Sequence, residues 1–209
     1  MSFTVHARRV RDERLSPARR GAALGSAIVL YGPFGFTWTH SYLSRFGDTR
    51  RDPRAMVAAL AALERSRDAR TAEWAEFSHR RSREKQEEHR RTPSAADRAW
   101  MAAPRWPGPD LHRAHRAMVL RWSCLPAPPP AELRREGLTD LERAVVAQVD
   151  AYLSADRPNP EAGAVLGGLL PALRAAAART RGARTSRPAA RADRLRMMAE
   201  LVHWDRPSR

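Results

Sequence analysis

At Ser16-Pro17, Asp52-Pro53 and Asn159-Pro160 a residue able to cap a helix is followed at once by proline. A capping side chain accepts a hydrogen bond from the first free backbone N–H groups of a helix, and proline at the first helical position gives up only an N–H that would be unpaired there. Such pairs mark helix starts. Behind them apolar residues recur at helical spacing: Leu24, Ala27, Ile28 and Tyr31, then Met56, Ala59, Leu60 and Leu63, then Val165, Leu166, Leu169, Leu170 and Leu173. The apolar fraction is 43%, supplied mostly by Ala, Leu and Val with only 7% aromatic residues, a mix that favours helices over pleated sheets. The expected fold is all-α, a helical bundle with an N-terminal three-helix unit, a polar connecting helix and a C-terminal helical unit.

Boundaries follow from composition and from helix breakers. Residues 1–15 read as a basic flexible arm, with Arg8, Arg9, Arg11 and Arg14 against Asp12 and Glu13. Residues 16–69 read as the three-helix unit: one helix from Pro17 to about Tyr31, a second from about Thr37 to Arg45 with Trp38, Tyr42 and Leu43 inward, and a third from Pro53 to about Arg67. Residues 70–109 read as a polar helix anchored at its start by Trp74 and Phe77, then a proline-rich linker. The run SHRRSREKQEEHRR has no apolar stripe, which is the mark of a solvated helix or an extended spacer. Trp106, in the loop APRWPGPD, is the one tryptophan set apart from helical faces and is the candidate stacking platform for a base. Residues 110–179 read as the C-terminal helical unit, including a capping box at Thr139-Asp140-Leu141-Glu142 and a helix that Pro171 should kink. Gly163, Gly167 and Gly168 lie where they would let helices approach. Residues 180–209 read as a basic tail with a flexible middle, ending in a terminal helix, with Leu195, Met197, Met198, Leu201, Val202 and Trp204, that docks back.

Basic residues number 38 and acidic residues 23, a formal net charge of +15, and Lys85 is the only basic residue that is not arginine. Arginine in place of lysine, with abundant alanine, reflects the codon usage of a GC-rich genome. The excess of positive charge has no such origin, and a field of this size attracts polyanions: nucleic acid first, an acidic protein or an anionic membrane surface after it. Residues 22–39 are uncharged and follow Arg19 and Arg20, yet Gly32, Pro33 and Gly35 interrupt them, so a core helix and a turn are preferred to a membrane anchor, with a cytoplasmic location. Cys124, the one cysteine, excludes an intrachain disulfide and reads as a small apolar filler. No phosphate-binding glycine loop and no nucleophile elbow is present. His112 and His115 are spaced for two metal ligands with Asp110 nearby, but Arg113 and Arg116 beside them would repel a cation. No catalytic residue, metal or cofactor is therefore expected. Assembly into a homo-oligomer is left open.

A helix ending at Tyr31-Gly32-Pro33, a short helix closing at Phe46-Gly47-Asp48 and a third helix ending in Leu63-Glu64-Arg65 together resemble the helix-turn-helix core of winged bacterial DNA-binding domains. The resemblance covers about a quarter of the chain. It implies a non-enzymatic DNA-binding protein in which two helices hold a third toward the major groove, with Arg50, Arg51 and Arg54 on phosphates or guanine edges. The link from Gly47 to Pro53 is longer than that family's tight turn, and no strand pair follows to make a wing. In the basic tail Arg181, Arg184 and Arg187 would add phosphate contacts. The alternative is a helical interaction or scaffold protein with an acidic partner, and after it a form anchored to a membrane through residues 22–39.

Overall fold

Ser16 and Asp52 start helices as their positions imply. In the computed structural model, which describes residues 1–155, 157–180 and 187–205, the Ser16 hydroxyl accepts from the Arg19 N–H and the Asp52 carboxylate accepts from the Arg54 N–H at 2.8 Å. The described residues form ten α-helices and one 3-10 turn, with no strand among them. The fold is all-α. The chain divides into two compact units, Met1–Asp110 and Leu111–Arg209.

The first unit contains α1 (Phe3–Arg11), α2 (Pro17–Leu30), α3 (Phe36–Leu43) with a 3-10 turn at Ser44–Phe46, α4 (Pro53–Glu87) and α5 (Ala95–Ala102). The expected basic arm is in fact α1. Phe3, Ala7 and Val10 repeat at helical spacing and are buried, and this sparse stripe lies hidden among arginines. The Arg20 side chain, itself buried, donates from Nε to the Val10 carbonyl at 2.7 Å and satisfies the end of α1, while Arg11 pairs with Glu64 of α4. Leu24, Ala27 and Ile28 of α2 and Met56, Ala59, Leu60 and Leu63 of α4 are fully buried.

The third helix and the polar helix, two elements by their sequence patterns, are one helix of 35 residues, because nothing between Arg65 and Arg70 breaks it. Its second half is braced by α5. Ser94 and Asp97 form a reciprocal capping box, and Asp97 also pairs with Arg80 of α4 at 2.8 Å. The Phe77 and Trp100 rings stack with centroids 4.8 Å apart, and Trp74 packs edge-on against both. Trp106 is not an open platform: it is 1% exposed, its ring 4.7 Å from that of Tyr42 and 5.8 Å from that of Phe34.

The second unit contains α6 (Leu111–Ser123), α7 (Pro130–Arg135), α8 (Thr139–Ser154), α9 (Pro160–Thr180) and α10 (Arg187–Trp204). The capping box expected at Thr139 does not form. The helix starts one residue earlier, with Leu138 in the cap position, and the buried Thr139 hydroxyl has no hydrogen-bond partner among the described residues. The Arg116 side chain closes the other end of α8 by donating to the carbonyls of Tyr152, Leu153 and Ala155. Pro171 lies within α9, which continues through it. The terminal segment forms α10, and it packs on α9 where glycines remove side chains: a Cβ on Gly163 would sit 3.2 Å from the Val202 carbonyl and one on Gly167 2.5 Å from the His203 ring. Gly168 faces open space. Cys124, expected as a filler, is exposed just beyond α6.

Candidate functional site

The segment Asp48-Thr49-Arg50-Arg51-Asp52 turns the chain from Ser44–Phe46 into α4. Both aspartates are engaged by this turn: an Asp48 carboxylate oxygen accepts from the Arg50 N–H at 2.9 Å, and Asp52 caps α4. The Asp48 carbonyl also accepts from the N–H groups of Arg51 and Asp52. With the backbone so fixed, the side chains of Arg50, Arg51 and Arg54 are exposed, and among the described residues none of the three is paired with a carboxylate. Arginines elsewhere are often engaged: Arg11 with Glu64, Arg80 with Glu84 and Asp97, Arg174 and Arg196 with Glu200, and Arg191 with Glu142.

Between this turn, α2 and α3 opens a cleft of about 510 Å³. Its floor is the face of α2 made by Ala18, Gly21, Ala22 and Gly25, and its other side carries Phe36, Thr37 and His40 of α3 with Thr49 and Arg50. α2 comes close because Gly21 has no side chain; a Cβ there would lie 3.3 Å from the Arg50 carbonyl. Phe36 is 49% exposed and its ring is stacked on that of His40, centroids 6.1 Å apart and planes inclined by 29°. Partial burial, with a smaller contribution from the Arg50 charge, holds the His40 imidazole below its ordinary pKa and so uncharged at neutral pH.

No family model matches the chain, and neither a curated protein nor a solved structure is similar to it.

Of the residues that the sequence singled out, Arg50 and Arg51 lie in the turn before α4 and Arg54 in the first turn of that helix. Arg187 is exposed in the first turn of α10 in the second unit, and Arg181 and Arg184 lie outside the described residues. His112 and His115 serve packing: His112 Nδ1 is 2.5 Å from an Asp205 oxygen to which the Tyr152 hydroxyl also donates, and His115 Nδ1 donates to the Leu201 carbonyl at 3.0 Å. Among the described residues no cluster of three or more His, Cys, Asp or Glu is arranged to hold a metal, and no helix is long and apolar enough to cross a membrane. Phe36, His40 and Thr49 do not stand out in the sequence. The signal that could have found them is an aromatic residue directly after Gly35 with a histidine four places on, opposite a helix face of only small residues.

Proposed function

We propose that the protein binds nucleic acid without chemical turnover, duplex DNA above all, through arginine contacts to phosphates. The observation that carries this reading is the exposed start of α4, where the guanidinium groups of Arg50 and Arg51 in the preceding turn and of Arg54 in the first helical turn stand, among the described residues, without carboxylate partners in a chain of net charge +15. Charges of this kind release condensed counterions when they meet a phosphate backbone.

The mode differs from that of a recognition helix lying in the major groove. From Ala55 to Ser66, α4 is enclosed by its own unit and only Arg65 is exposed, so the helix offers its first turn rather than a face. Contacts from a turn position a backbone and carry little sequence information. The test is replacement of Arg50, Arg51 and Arg54 together by glutamine. Affinity for duplex DNA at low salt falls by roughly tenfold or more, and the salt slope becomes shallower by about 0.9 for each phosphate that is no longer neutralised. Unchanged affinity and slope would remove this turn from the interface.

A second reading, an acidic protein partner, draws support from Val29 and Leu30 at the end of α2, which are 71% and 51% exposed. Adjacent exposed apolar side chains suit a protein surface. Capture of a protein partner that survives nuclease treatment would favour it.

A further inference from the structure

We infer that the cleft between α2 and α3 is a nucleotide subsite, taking a base against Phe36 and a phosphate at Thr49, Arg50 and the start of α3. The inference rests on the nucleic-acid reading and adds to the duplex contacts of the arginines a defined place for one unpaired nucleotide, because a base stacked within a duplex cannot enter the cleft.

The cleft's volume, about 510 Å³, lies in the range of small-molecule sites. Its chemistry is divided in two. Phe36 is half exposed beside His40, and Ala22 and Gly25 line the same cleft, so a flat ring finds both an aromatic and an apolar surface there. His40 stays neutral, and among the described residues its ring nitrogens have no hydrogen-bond partner, which leaves a donor and an acceptor for a base edge.

Polar groups gather at the other end. Thr49 is 4% exposed yet lines the cleft, and its hydroxyl has no hydrogen-bond partner among the described residues. Arg50 adjoins it, its guanidinium without a carboxylate partner among the described residues. α3 begins at Gly35, whose φ of 76° a residue with a side chain would adopt only with strain, and no side chain caps it. The first N–H groups of α3, at Phe36 and Thr37, therefore remain for an anion. The carboxylates of the neighbouring turn, Asp48 and Asp52, are held on backbone N–H groups.

The full chain is titrated with adenosine monophosphate, with inorganic phosphate and with a single-stranded oligonucleotide, in the wild type and in Gly25→Leu, Phe36→Ala and Thr49→Val. Gly25→Leu is the decisive variant, because a Cβ at Gly25 meets no atom within 4 Å and leucine favours the helix, so the substitution fills the cleft without disturbing the fold. The wild type is expected to take one nucleotide per chain, roughly tenfold more tightly than inorganic phosphate. Gly25→Leu and Phe36→Ala should each weaken that binding by roughly tenfold, with unchanged circular dichroism. Parallel weakening of the oligonucleotide means that the occupant is a unit of a strand; loss of the mononucleotide alone means that it is a free nucleotide. The inference is overturned if the mononucleotide binds no better than phosphate, or if Gly25→Leu binds it as the wild type does. Salt-dependent duplex binding that persists in that case leaves the arginine interface standing and removes only the cleft.

Discussion

Arg50, Arg51 and Arg54 point outward because the aspartates beside them point at the backbone. This turn is legible in the sequence, since Asp52-Pro53 fixes the start of α4 and so places Arg54 in its first exposed turn. Other residues are not legible, because their surroundings come from distant segments: nothing local in APRWPGPD says that Trp106 is received by Phe34 and Tyr42. Capping shows the same limit. Thr139 and Ser94 each precede an acid three residues on, yet only Ser94 completes the exchange with its acid. Ser94→Ala is therefore expected to lower stability by about 1 kcal/mol, and Thr139→Ala to change it by less than about 0.5 kcal/mol, in denaturant unfolding. Tyr31 supplies a pH dependence. Burial pushes its hydroxyl up to about 12, with the hydrogen bond to Ser66 acting the other way. A raised tyrosine pKa means that the fold prefers the neutral ring, so this contribution is whole below pH 10 and is lost as pH rises toward 12. Thermal melts of Tyr31→Phe should fall less steeply than those of the wild type across that interval.

Among the elements, helices with a broad apolar stripe are readable from sequence, but their extent is not. The apolar stripe of α4 stops near Arg67 and suggests an end there, but a stripe records which residues are buried, and the backbone continues wherever no breaker stands. α1 misleads in the opposite sense: its three buried apolar positions are outweighed by the arginines around them. The α9–α10 pairing gives a test that separates two kinds of glycine. Gly163→Val would press a side chain on the Val202 carbonyl and should cost about 1–3 kcal/mol, while Gly168→Ala, facing open space, should gain about 0.5–1 kcal/mol from helix propensity. Equal effects of the two on the melting temperature would contradict the packing described.

For the whole molecule, positive charge is shared between the units: 21 basic against 13 acidic residues up to Asp110, and 17 against 10 beyond it. Neither unit alone accounts for the field. Each has its own buried apolar residues, Leu60 and Leu63 among them in the first and Leu166 and Leu201 in the second, so segments 1–110 and 111–209 are expected to unfold cooperatively when produced separately. The measurement that bears most directly on nucleic-acid binding is the affinity of the full chain for a labelled random-sequence duplex across a salt series, with a single strand run in parallel. A steep, linear fall of log affinity with log salt is expected, about 0.9 per phosphate neutralised. Absence of binding to either strand form at low salt would contradict it and assign the charge to an acidic protein partner.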